Sequence, residues 1–83
     1  MEREEVVVAL REVAVDVLSV DPDAVVEDAR FKEDLDADSL DLYELVMELE
    51  DRYGVSVSEQ QAAKIATVGD AVGFVLEHAP SST

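Results

Sequence analysis

The sequence predicts an all-α fold: a small four-helix bundle with a long packed loop between helices 1 and 2 and a short helix 3. Three observations carry this. Apolar residues recur every three or four positions over three separate stretches. Helix-start signals precede three segments. No stretch alternates apolar and polar residues as a strand would. Length and composition agree. A chain of 83 residues makes one domain, placed at 1–79 with 80–83 as a frayed C-terminal tail. Hydrophobic residues are 48% of the chain and aromatics only 5%, so the core is aliphatic.

The first helix spans about Glu4 to Ser19, with Val6, Val7, Leu10, Val13, Ala14, Val17 and Leu18 on one stripe. Glu2, Glu4 and Glu5 suit the positive end of its dipole. Val8 and Val15 miss the stripe and are expected at the surface. Asp21-Pro22-Asp23 ends the helix. The connection from Val20 to Asp38 is too long for an idle loop in so small a domain. Val25, Val26, Phe31 and Leu35 need burial, so it is expected to traverse the core with one helical turn.

The second helix runs from Ser39 to Tyr53 and stops at Gly54. At 100° per residue, Leu42, Leu45, Val46, Leu49 and Tyr53 share a core face. Leu40, Tyr43, Glu44, Met47, Glu48, Glu50 and Asp51 lie opposite. A merely solvated face has no need of three large apolar residues. Apolar centres inside a charged rim make a docking surface, and methionine adapts to partners of different shape. Val55-Ser56-Val57 is a short extended link. Ser58 with Gln61 opens a third helix that ends near Lys64. Thr67 with Asp70 opens a fourth, carrying Val68, Val72, Val75, Leu76 and Ala79 on one stripe. Gly69 and Gly73 each weaken it by about 1 kcal/mol relative to alanine. Phe74 falls off the stripe and is expected over a helix edge.

Charge and composition exclude several functions. The net charge of −15, from 21 acids and 6 bases, repels phosphate, so nucleic acid and anionic membrane surfaces are poor partners and basic proteins are good ones. Solubility, or adaptation to high salt, accounts for the charge equally well. The N-terminus is too acidic for a signal peptide and no apolar run would span a bilayer. The expected setting is cytoplasmic, without membrane insertion, and the chain is expected to be a monomer. There is no cysteine, so thioester chemistry needs an imported sulfur. With one histidine, His78, and no glycine-rich phosphate loop, a catalytic nucleophile–base pair is hard to assemble, and no independent enzyme is expected. Asp34-x-Asp36-x-Asp38 opens like a calcium loop, but its sixth and twelfth positions are Ser39 and Leu45 rather than glycine and glutamate. No dedicated metal site is expected.

What remains is Ser39. Serine and aspartate are favoured at helix starts, with Asp38 as N-cap and Asp41 steadying the first turn. The same position also holds a hydroxyl beside free N–H groups and the positive dipole end, where a phosphate ester is tolerated. Asp36, Asp38 and Asp41 oppose further negative charge, so a divalent cation supplied during the reaction would ease attachment.

Leu35-Asp36-Ala37-Asp38-Ser39-Leu40-Asp41, followed by Glu44-Leu45-Val46-Met47, resembles the acyl carrier proteins of bacterial type II fatty acid synthesis. Lys64-Ile65-Ala66-Thr67-Val68-Gly69-Asp70-Ala71 resembles the same family at the right distance, and the likeness covers nearly the whole chain. The resemblance implies that a phosphopantetheinyl transferase, with magnesium, esterifies Ser39 with 4′-phosphopantetheine from coenzyme A, whose thiol then carries acyl groups as thioesters. Asp38 matches the position that helps hold that metal. The partner-binding set it implies is Asp38, Leu40, Asp41, Tyr43, Glu44, Met47, Glu48, Glu50 and Asp51, meeting basic patches on synthesis enzymes. Glu48 stands where the family usually has a small uncharged residue. The implied acyl pocket is Leu45, Leu49, Ile65, Ala71 and Val72, which on spacing alone are ordinary core. Three departures stand out: Asp36 replaces a usual glycine, Tyr43 a small branched residue, and helix 3 has one acid, Glu59. The acidic second helix and the Glu-Leu-Val-Met run favour fatty acid synthesis. A dedicated carrier for polyketide or other secondary-metabolite assembly, or an unmodified acidic interaction module, stays open.

Overall fold

The computed structural model describes residues 2–79, and the expected tail at 80–83 lies outside them. It contains α1 (Arg3–Leu18), a 3-10 turn (Pro22–Ala24), α2 (Ser39–Tyr53), α3 (Glu59–Lys64) and α4 (Val68–His78). The ends follow local chemistry. α1 closes on Ser19, whose left-handed backbone (φ of 56°) lets its N–H reach Val15 O. The Asp21 side chain accepts from Asp23 N–H and Pro22 pre-sets the first turn position, giving the expected helical turn in the loop. Asp38/Asp41, Ser58/Gln61 and Thr67/Asp70 all form reciprocal capping boxes, which satisfy N–H groups that a helix start leaves unpaired. α2 ends on Gly54 in the left-handed region, which glycine enters without a Cβ clash.

α1 packs against both α4 and α2. Val6, Leu10, Val13 and Ala14 of α1 meet Val68, Ala71, Val72 and Val75 of α4 and Leu45 and Leu49 of α2, all buried. Each of these valine and leucine side chains contributes about 1.5–3 kcal/mol through burial. The long loop adds Val25, Ala29, Phe31, Leu35 and Ala37 to the same core, so it traverses the domain as expected. Val26 corrects the expectation: it is 50% exposed. Val25 takes the inward position, and Val26 is turned outward as its N–H bonds Ala24 O and its carbonyl accepts from Ala29 N–H. Val46 is also only half-buried, because its part of α2 faces a cleft rather than the core. Val8 is exposed as expected, while Val15 is half-buried. Phe74 lies half-buried with its ring against His78, the centroids 4.2 Å apart.

Backbone bonds fasten the loop to the start of α4. Phe31 N–H donates to Ala66 O at 3.0 Å, Val68 N–H to Ala29 O at 2.9 Å, and Gly69 N–H to Glu27 O at 2.9 Å, with Arg30 and Thr67 forming an isolated antiparallel bridge. This accounts for Gly69: a Cβ there would stand 3.1 Å from Glu27 O. Arg3 on α1 pairs with Glu27, and Arg52 with Glu12 at 3.4 Å. Exposed pairs of this kind contribute about 0–1 kcal/mol, so apolar packing holds the bundle.

Candidate functional site

Ser39 is the first residue of α2 and is exposed. The acids beside it are engaged in shaping the turn. Asp38 Oδ1 accepts from Asp41 N–H at 2.8 Å, and Asp41 Oδ2 accepts from Asp38 N–H at 3.3 Å. The N–H groups of Ser39 and Leu40, at the first two helical positions, have no intrahelical acceptor. An anion bonded to the Ser39 oxygen therefore meets donors and the positive end of the dipole.

The approach to Ser39 is equally determined. Asp36 has a φ of 56°, between buried Leu35 and Ala37. The backbone reverses there in the left-handed region, which aspartate enters at less cost than most residues. Ala37 N–H then donates to Phe31 O at 2.8 Å. One step back, Asp34 Oδ2 accepts from Arg30 N–H at 2.8 Å and from Arg30 Nε at 3.2 Å. Arg30 side-chain hydrogen bonding, then its backbone N–H, holds the Asp34 carboxyl below the usual carboxylate range. The same bond, with the charges of Asp34 and Glu33, raises Arg30.

Behind Ser39 opens a cleft of about 640 Å³, within the 300–1,000 Å³ typical of small-molecule sites. Ser39, Leu42, Tyr43, Val46 and Glu50 form its α2 wall, Arg30–Glu33 one end, and Val57–Glu59, Ala62, Ala63, Ile65 and Ala66 the α3 side. The interior is apolar (Phe31, Leu42, Val46, Val57, Ala62, Ile65), while Arg30, Lys32, Glu33 and Glu59 stand at the solvent and Glu50 is half-buried. A hydroxyl at the mouth of an apolar slot suits a group anchored at Ser39 whose apolar end turns inward.

Of the five residues expected in an acyl pocket, Ile65 lines this cleft. Leu45, Leu49, Ala71 and Val72 are buried in the closed core and do not reach it, because α1 packs over that face of α2 and α4. Leu42, Val46, Val57 and Ala62 line it beside Ile65. The α2 members carried a signal, since they continue from Ser39 at helical spacing; Val57 and Ala62 come from a different segment and carried none.

The anticipated docking face is open to solvent: Leu40 is 65% exposed, Tyr43 64% and Met47 47%. Glu44, Glu48 and Asp51 surround them, also exposed. Glu50 differs, being half-buried with Oε2 accepting from Val57 N–H at 2.8 Å. Tyr43 belongs to both the face and the cleft. Among the described residues no group of three or more histidine or carboxylate side chains is placed to hold a metal ion, and no helix is long and apolar enough to cross a membrane.

Comparison with known proteins agrees with this geometry. Residues 8–75 match the family model described as a phosphopantetheine attachment site. The acyl carrier protein of Rubrobacter xylanophilus is 49% identical over 78 residues, covering 94% of this chain and 96% of that protein. Among solved structures, the acyl carrier protein from Enterococcus faecalis matches with a TM-score of 0.79 at 37% identity, over 95% of this chain and all of that one.

Proposed function

This chain belongs to the acyl carrier protein family, and on that premise we propose that Ser39 is its attachment point for 4′-phosphopantetheine. The observation that carries this reading is the exposed Ser39 hydroxyl at the capped start of α2, at the mouth of an apolar cleft. The protein is a non-catalytic carrier. The bound arm supplies the thiol that the chain lacks, on which acyl groups travel as thioesters. The chain's own residues do the rest. Asp38 and Asp41 orient the helix start, the Ser39 and Leu40 N–H groups face the phosphate, and Leu42, Val46, Val57, Ala62 and Ile65 exclude water from the apolar cargo.

Two classes of partner follow. A phosphopantetheinyl transferase loads Ser39, and enzymes of fatty acid synthesis read the face made by Asp38, Leu40, Asp41, Tyr43, Glu44, Met47, Glu48, Glu50 and Asp51. With a net charge of −15 the matching surfaces are rich in lysine and arginine. The working unit is a cytoplasmic monomer with its carrier domain at 1–79. A second reading, a carrier dedicated to polyketide or other secondary-metabolite assembly, draws on Tyr43 and on Glu59 as the one acid of α3. The acyl group on protein isolated from its own cell separates these two.

Intact mass after incubation with coenzyme A, magnesium and a broad-specificity transferase tests the carrier reading. The native chain is expected to gain one phosphopantetheine and Ser39→Ala none. An unchanged native mass with several active transferases contradicts it.

A further inference from the structure

We infer that Glu50 is a tether that holds the α2–α3 link against α2, and thereby sets how tightly the cleft closes over its cargo. Of the acids on α2 beyond the first turn, Glu50 alone is partly buried. Its carboxylate accepts from Val57 N–H at 2.8 Å, and both residues line the cleft. A carboxylate–amide bond is charge-assisted, stronger than a neutral one. Val57 directly precedes Ser58, which caps α3, so this bond fixes the backbone where α3 begins.

The tether matters because little else holds this wall. No residue of α3 is buried. Apart from Glu50, the segment is held by buried Val55 before it, by half-buried Ile65 against the core, and by the bonds of Ala66 to Phe31 and Asp70 after it. Without the Glu50 acceptor, Val57 N–H turns to water and the α3 side of the cleft moves outward. Glu50 is thus a positioning residue, acting on the cargo through Val57 rather than by touching the thioester. The consequence for cargo rests on the carrier reading above; the tether itself does not.

The test compares Glu50→Ala, Glu50→Gln and, as a control for one lost charge, Glu77→Ala on α4, which does not line the cleft. On the unloaded chain, Glu50→Ala is expected to speed amide hydrogen exchange at Val57 about tenfold, the scale of one charge-assisted bond. Glu50→Gln, whose amide oxygen still accepts but without the charge, is expected between the native and Glu50→Ala rates, and exchange at Leu10 reports that the core remains folded. Exchange at Val57 no faster in Glu50→Ala than in Glu77→Ala overturns the tether. On loaded protein, an octanoyl thioester is expected to hydrolyse faster in Glu50→Ala than in the native chain, and equal rates overturn its role in sheltering cargo. The exchange experiment needs no prosthetic group, so it remains decisive even where Ser39 is not loaded.

Discussion

The two sides of α2 are held by different physics. Its inner side meets α1 and α4 through Leu45 and Leu49, within a continuous aliphatic core. Its outer side meets α3 across a cleft, and α3 contributes no buried residue. Hydrogen bonds at the ends of α3, from Val57 N–H to Glu50 Oε2 and from Phe31 N–H to Ala66 O, stand where apolar packing stands on the other side. Segments with few buried contacts open at low cost. Stability is therefore concentrated in the α1–α4 half, while the α3 half stays free to adapt to a guest. A carrier needs both: a scaffold that survives repeated docking, and a slot that gives way without global unfolding.

The strongest way to break this comparison is a core truncation. Leu10→Ala, at a fully buried position, is expected to cost about 2–5 kcal/mol in chemical denaturation. Truncations of Leu42 or Ile65, on the cleft, should cost clearly less. Next come matched cap deletions. Thr67→Ala, at the start of α4, is expected to lower global stability by about 1 kcal/mol. Ser58→Ala removes an equivalent box, yet should fray α3, seen as faster exchange over Glu59–Lys64, with little change in melting temperature. The two glycines of α4 sharpen the contrast further. Nothing lies within 4 Å of a Cβ at Gly73, so Gly73→Ala should stabilise by about 0.5–1 kcal/mol. Gly69→Ala should gain less or lose, because its Cβ meets Glu27 O. The smallest effect is at Asp34. Its folded value is lowered by Arg30, so its contribution is complete above the ordinary carboxylate range and is lost as pH falls through the lowered value. The Arg30 amide resonance should report that titration, and Arg30→Gln should shift it upward.

Where local chemistry decides, the sequence was readable. Asp38/Asp41, Ser58/Gln61 and Thr67/Asp70 each need only three residues to form a cap, and all three form. The amphipathic stripes of α1 and α4 faced the core, and that of α2 did so except at Val46, because a 3.6-residue period leaves little choice. Asp36 stands where the resemblance implies a usual glycine, and its backbone takes the left-handed region that glycine favours. Long-range placement was not readable. The Arg30–Thr67 bridge is a backbone interaction with no side-chain signature. Val25 and Val26 are chemically alike, and only the path of the 3-10 turn decides which is buried. Apart from Ile65, the lining of the cleft was not readable, because apolar periodicity does not distinguish a core wall from a slot wall. Val57 and Ala62 line the cleft through the tertiary path of the α2–α3 link.

The central claim, that the alcohol at the start of α2 is where cargo is attached, is tested most directly by fragmenting the loaded protein in a mass spectrometer. The added phosphopantetheine is expected on Ser39. Finding it on another hydroxyl, such as Ser56 or Ser58 beside α3, would contradict the account.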